Sequence, residues 1–559
     1  MNLFNRKTVL ILFFIFLIQI QTIVANPYSA QKLIPANHWI YDSLTTLELE
    51  SAITTFSDEA PLSIEQIKSF LNEIDYDSLS NSGKSQYDKI TSYFKENEFS
   101  YGTFFSVGLA PVISLEGQYK TNADVDWVYN RYERDSFILL PVSLSAGDYV
   151  CLQADLPIGQ NRTAMGRSDN YLNIPLSSND FDINFPHNTY LSTGMKFSDD
   201  AGINFRMGMG SQSFGRTLLG SVILSEYLTD TPYASLSIYS KNVNYACSIT
   251  ELNKDRYMYS HKLEFRLFNK FTFNMYEAVL PYGSMDLRFF NPFTIFHGYA
   301  AWHEYESYNS NQGSFCGLKM VYTPCKFLRL YTHIAMNQFQ TTSEMENYPD
   351  VLIPNAMGFQ AGAKSSIPIA TGHLHFTLEG YYTNPYFYIN ENPNWSYVRT
   401  YRENTDSSET FYEWIGSPLG PDTIACKLEA VYEDVNNWKV KFDYLFAARG
   451  ELSNTKGSNS IFSNCGWGGY NFTVNNTDNW VYPTSSNKYK NANKWSCPTG
   501  TPEYVNCISL CASFFPVRFL ELKLQPSYTF IFNFNHESNS YAQSFECAVA
   551  CKLYIAKIK

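Results

Sequence analysis

The stretch His261-Lys262-Leu263-Glu264-Phe265-Arg266-Leu267 alternates without a break, so as a strand it puts Leu263, Phe265 and Leu267 on one face and Lys262, Glu264 and Arg266 on the other. A half-exposed strand of a soluble sheet has the same look, so recurrence must decide. The pattern returns in Trp438-Lys439-Val440-Lys441-Phe442-Asp443-Tyr444, Leu520-Glu521-Leu522-Lys523-Leu524, His373-Leu374-His375-Phe376-Thr377-Leu378 and Ile203-Asn204-Phe205-Arg206-Met207. A transmembrane β-barrel requires this alternation, apolar toward lipid and polar toward a lumen.

Composition supports that reading. The chain has 559 residues, of which 17% are charged and 17% aromatic, with 42 Tyr and 42 Phe. A soluble protein would have to bury so many rings, whereas a barrel displays them in girdles at both membrane interfaces. The formal charge of −12 argues against nucleic acid as a partner, because phosphate binding needs a basic surface. It leaves neutral or acidic glycans open.

Arg6 and Lys7, an apolar run over 9–18 and the small residue Ala25 have the layout of a secretory signal over 1–25, which predicts export. The alternative is an uncleaved anchor, but the run is shorter than the roughly 20 residues of a spanning helix. Later apolar segments are shorter than that span as well, so insertion has to be by a closed barrel.

The connections sort by length. Tight ones fall at Asp199-Asp200-Ala201-Gly202, Lys241-Asn242, Asn269-Lys270, Pro324-Cys325-Lys326, Asn436-Asn437 and Pro516-Val517, and long polar ones over 156–187, 281–313, 384–421 and 449–502. Numbering the strands in order sends every one of these tight turns to one end and every one of these long loops to the other. Outer-membrane barrels have short periplasmic turns and long external loops. The expected fold is an all-β transmembrane barrel of about 18 antiparallel strands over 99–559, in the outer membrane of a Gram-negative-type bacterium and in contact with its lipid. A soluble sandwich or propeller is the competing architecture, and no blade-length repeat supports it. The end of the chain, Leu553-Tyr554-Ile555-Ala556-Lys557-Ile558-Lys559, lacks the terminal aromatic often found in such barrels.

Residues 26–98 read differently. Trp39, Leu44 and Leu47 recur at helical spacing over 38–50, Ser63 and Gln66 form a capping box before a second helix, and Tyr87, Ile90, Tyr93 and Phe94 share a face over 84–95. These predict a small helical periplasmic domain.

Arg256-Tyr257-Met258-Tyr259-Ser260-His261, Phe273-Asn274-Met275-Tyr276-Glu277, Tyr282-Gly283, Asp286-Leu287-Arg288-Phe289-Phe290-Asn291-Pro292 and Gly317-Leu318-Lys319-Met320-Val321-Tyr322-Thr323-Pro324 follow one another in order. Upstream stand Gly208-Met209-Gly210-Ser211-Gln212-Ser213-Phe214-Gly215-Arg216. Together this block resembles the Wzi family of capsule-assembly outer-membrane proteins. The resemblance covers about 200–340, and Glu226 to Pro232 departs from it. It implies a large barrel with a helical periplasmic part and a lectin-like role, with surface or capsular polysaccharide as partner. A second resemblance, of Pro35-Ala36-Asn37-His38-Trp39 and Pro61-Leu62-Ser63 to half of an S-layer homology module, implies contact with peptidoglycan. The simpler and preferred reading of the same residues is a three-helix bundle with Trp39 in its core.

The chemistry that can be read is binding rather than catalysis. Trp302-His303-Glu304-Tyr305 lacks the second His of a zinc-peptidase motif, no Ser stands in a Gly-x-Ser-x-Gly elbow, and no Cys or His spacing predicts a metal or cofactor. The expectation is a non-enzyme, with His373 and His375 as lumenal polar residues. Trp467, Tyr470, Trp480, Tyr482 and Trp495 stand among Gly, Asn, Ser and Thr on the longest loop, where flat rings suit sugar faces and small amides suit hydroxyls. These rings could equally pack the loop into the barrel mouth. Arg206, Lys262, Glu264, Arg266 and Arg288 form a candidate lumen set, either lining a passage or closing it as an ion-pair network. Of eleven Cys, Cys426, Cys507 and Cys511 read as strand packing, and Cys465 with Cys497 as a possible surface disulfide. Two functions stand side by side: a polysaccharide-holding surface protein with a filled lumen, or a porin with an open one. Segments 211–221 and 291–302 are the candidates to fold back into the lumen.

Overall fold

The computed structural model describes residues 29–557 except 56, 97–98, 103, 126–134, 161–170, 176–180, 184–185, 292–293, 297–311, 340, 348–354, 391–392, 402–410, 436 and 452–496. The signal call over 1–25 therefore lies outside the described residues. Eighteen long antiparallel strands follow one another around a closed barrel. They are β1 (Val112–Lys120), β2 (Ile138–Ala146), β3 (Val150–Gln160), β4 (His187–Ser198), β5 (Ala201–Gly210) and β6 (Thr231–Tyr239). Next come β7 (Val243–Asn253), β8 (Arg256–Leu267), β9 (Phe271–Pro281), β10 (Gln312–Cys325), β11 (Leu328–Gln338) and β12 (Ala356–Ile369). The last six are β13 (Gly372–Thr383), β14 (Thr423–Asp434), β15 (Trp438–Arg449), β16 (Glu503–Val517), β17 (Leu520–Phe532) and β18 (Tyr541–Tyr554). The barrel closes where β18 pairs with β1, Tyr554 opposite Val112 and Glu546 opposite Lys120. An even number of strands returns both ends of the wall to one rim.

The alternation behaves as the sequence predicts. On β8, Lys262, Glu264 and Arg266 are buried inside while Leu263, Phe265 and Leu267 face out. Asn204 and Arg206 on β5 and His373, His375 and Thr377 on β13 are likewise buried, and Met207, Phe376 and Leu378 are exposed. Eight tight turns lie on one rim, which in outer-membrane barrels faces the periplasm. At the β8–β9 turn Phe268 and Asn269 both take positive φ, the backbone pair that primed hairpin turns need. The opposite rim has the long connections, with one exception: Lys254 and Asp255 alone join β7 to β8.

The helices are α1 (Ile40–Ser51), α2 (Ile64–Leu71) and α3 (Asn81–Glu96). Ser63 and Gln66 make the capping box reciprocally: the Gln66 amide donates to Ser63 Oγ at 3.3 Å, and the Ser63 amide donates to Gln66 Oε1 at 2.9 Å. This segment does not stand apart from the barrel. It docks into the tight-turn rim, where its backbone meets the turns one by one. Thr54 N donates to Asn269 O at 2.8 Å, Phe327 N donates to Leu49 O at 2.8 Å, and the hydroxyls of Ser29 and Ser69 donate to Gly147 O and Asp199 O.

From the other rim, segment 211–230 and the described parts of 384–422 fold inward. Leu219, Val222, Ile223, Phe387, Tyr388 and Ile415 are fully buried in one large core inside the wall. The two fillings meet: strand Ser213–Phe214 of the descending segment pairs antiparallel with strand Glu59–Ala60 of the helical segment. Glycines of β10 make room for them. A Cβ on Gly317 would stand 2.9 Å from Ile223, and one on Gly313 would strike the Trp395 carbonyl.

Candidate functional site

The interior is organised by charge. Cations project inward from the wall, and acids on the helical segment rise to meet them. Arg206 and Lys262 both pair with Glu59, and Arg266 Nη1 donates to both oxygens of Glu73 at 2.8 and 2.9 Å. Lys319 pairs with Asp58, and Arg329 reaches Asp58 at 2.8 Å and Glu48 at 2.9 Å. The His373 ring meets Glu50 at 2.5 Å and stacks on His375 with centroids 5.8 Å apart. Glu264 accepts from Asn244 Nδ2 at 3.0 Å and lies 3.9 Å from Lys319 Nζ. Burial raises the Glu48 carboxyl above its ordinary value even beside Arg329. Burial acts on Glu50 in the same sense, but bonds from His373 and Ser80 outweigh it and hold that carboxyl low.

The outer filling is held by another kind of contact. Glu379 of β13 accepts from the backbone amides of Leu218 and Leu219, each at 2.9 Å. Arg256, 2% exposed, points its guanidinium at backbone carbonyls: Asn394 O at 3.1 Å, Val398 O at 2.8 Å and Ser396 O at 2.5 Å, with Asn253 Oδ1 at 3.0 Å. Arg399 pairs with Glu413 across the hairpin Val398–Tyr401 and Phe411–Trp414. Between the helical segment and the descending segment lies a cavity of about 160 Å³, lined among others by Asp42, Asp58, Arg216, Arg329, Lys364 and Glu429. Both signs of charge face it, so its lining suits polar contents.

Four of the five candidate lumen charges, Arg206, Lys262, Glu264 and Arg266, are gathered on the wall opposite the acids of the helical segment. Arg288 is a correction. It lies on the loop after β9, largely exposed, in the short 3₁₀ turn Leu287–Phe290, and donates to Asp286. Asp286 caps that turn by accepting from the Arg288 amide at 2.9 Å, and this local cap on the loop takes the side chain that was expected in the lumen. Segment 211–221 does fill the lumen. The described part of 291–302 instead lies on the outer wall, where Phe296 stacks on the outward-facing His261. Trp467, Tyr470, Trp480, Tyr482, Trp495 and Cys465 lie outside the described residues. Cys497 is half-buried, and burial followed by the nearby Asp422 carboxylate raises its thiol well above the ordinary value. Cys426 faces outward, while Cys507 packs against the inner core.

Sequence reasoning missed Lys319, Arg329, Arg256 and Glu379 as interior contacts. Their inward parity was readable, but their partners are remote in the chain: Glu48, Asp58, the carbonyls of 394–398 and the amides of 218–219. Among the described residues no group of three or more His, Cys, Asp or Glu side chains could hold a metal ion.

No family model and no curated protein matches the chain. Among solved structures, it is similar to Wzi of Escherichia coli, described as an outer-membrane protein involved in group 1 capsule assembly and a carbohydrate-binding β-barrel. The two are 11% identical with a TM-score of 0.58, over 93% of this chain and 99% of that one. OccD3 and OprD of Pseudomonas aeruginosa also match, at 7% and 8% identity and TM-scores of 0.39 and 0.36, over 82% and 79% of this chain and 93% and 94% of theirs.

Proposed function

We propose that the protein holds exported polysaccharide at the cell surface, as a lectin-like assembly factor, and does not pass solutes. The observation that carries this reading is the filled interior. A porin needs a continuous aqueous channel, whereas here two inward segments meet as a paired strand in mid-barrel. A wall this well occupied serves as a rigid mount for external loops. The aromatic loop with Trp467 and Trp480 then supplies the sugar contacts.

The test has two arms. Purified protein in planar bilayers is expected to show no large steady conductance steps, and such steps would overturn the sealed-barrel reading in favour of a porin. Trp467→Ala with Trp480→Ala is expected to lower surface polysaccharide retention several-fold while the barrel remains folded. Unchanged retention would remove the loop from the binding role.

A further inference from the structure

The outer wall has a feature that a lipid-facing surface should not have. His261 of β8 shares its face with Leu263 and Phe265, and its register partner Glu277 on β9 faces out beside it. Their side chains pair at 2.8 Å. Cys247 and Cys316 extend the row on either side, opposite His261 and Glu277 on β7 and β10. His261 lies five residues below the rim residue Arg256. With a rise of about 3.3 Å per residue and a strand tilt near 40°, that is roughly 13 Å below the rim, well inside an apolar band about 25 Å tall. A polar pair bare to hydrocarbon at that depth is destabilising.

The pair is not bare. Tyr259 and Val279, also outward by register, are only 2% and 0% exposed, because Phe289 and Phe296 of the loop after β9 pack on them. Phe296 stacks on His261 with centroids 4.4 Å apart and planes 14° from parallel, and the Asp286 amide donates to Tyr259 Oη at 2.7 Å. The loop therefore runs down the outside of the barrel instead of rising from its rim. Its far side is apolar: Leu287 is 78% exposed, Ile295 70%, and Met285 and Phe290 50% each. Across 282–296 the only charged residues are Asp286 and Arg288, and they pair with each other.

We infer that the described residues 282–291 and 294–296 form a membrane-immersed flap, docked on the outer wall through Phe289 and Phe296, whose exposed face is occupied by acyl chains of the outer leaflet. The occupant follows from continuity and charge. The flap is bordered by the lipid-facing wall, with Ile238, Met275 and Leu318 exposed on neighbouring strands, and it carries no unneutralised charge that would call for water. The inference rests on the fold alone and is independent of what the external loops bind.

The experiment places the photo-crosslinking residue p-benzoylphenylalanine at Leu287 and, separately, at Ile295, in the full chain assembled in an outer membrane. Phe265 serves as the wall reference and the periplasmic-turn residue Phe268 as the aqueous one. Folding is checked for each variant by heat-modifiable gel migration. Irradiation is expected to give lipid adducts at both flap positions within about threefold of the Phe265 yield and well above that at Phe268. Adducts to a second copy of the chain would overturn the assignment in favour of an oligomer interface. Yields no higher than at Phe268 would overturn it in favour of a solvated loop.

Discussion

Replacing Arg329 with Met should loosen the helical segment without opening the wall. Arg329 is the cation shared by Glu48 and Asp58, at 2.9 and 2.8 Å, and its side chain is 7% exposed against 0% for Glu48. After the change Asp58 retains Lys319, but among the described residues the one hydrogen bond left to the Glu48 carboxylate is from the Thr323 hydroxyl at 3.3 Å. Removing one partner of a buried pair costs about 3–5 kcal/mol. Because burial already raises the Glu48 carboxyl, that group can take up a proton, which sets the expectation near 3 kcal/mol, or about a hundredfold in the docking equilibrium. The assay is amide hydrogen exchange over 44–50 in the folded, detergent-solubilised protein, which reads the opening of α1 directly. Adding Glu48→Gln removes the stranded charge and should recover about 1–2 kcal/mol of the loss. Exchange within threefold of the parent, or a double variant as loose as Arg329→Met alone, would refute the clamp.

Two further expectations bear on the ends of the barrel. Arg256→Lys retains the charge but loses the fork that serves three carbonyls, so segment 393–398 should be held about 2–4 kcal/mol more weakly; protease access to 384–422 on intact cells should rise, and unchanged access would remove Arg256 as the latch. At the other rim, burial first and the charges of Lys557, Lys89, Lys32 and Arg216 next lower His38 from 6.5 to about 3. Its neutral Nδ1 accepts from the Ile40 amide at 3.3 Å. A folded value below the unfolded one means stability that is complete above pH 6.5 and is lost as pH falls toward 3. The melting temperature of α1 should therefore fall as pH drops from 6.5 to 5, a window above the carboxylates, and His38→Asn should flatten that slope.

Period-two alternation and turn sorting were enough to read the barrel, because both follow from having lipid on one side of every strand. Eighteen strands, the inward parity of Arg206 and Lys262 and the Ser63 capping box are all local in the chain. Docking is not local. Glu59 meets Arg206 and Lys262 across more than 140 positions, and nothing in either segment names the other. His261 shows a subtler limit: parity places it on the apolar face, correctly, but only the distant Phe296 makes that placement tolerable.

The pairing of wall cations with acids that precede β1 also bears on how the ring is made. Arg206, Lys262, Arg266, Lys319 and Arg329 would crowd an empty barrel with like charge, and the segment that neutralises them precedes every stave in the chain. The seam between β18 and β1 joins the last stave to the first. Glu48, Asp58, Glu59 and Glu73 thus act as counter-charge for the inner face of the wall, carried by a segment that is not itself part of the wall. A chain beginning at β1 should have the strands for a barrel and lack the counter-charge to shut it.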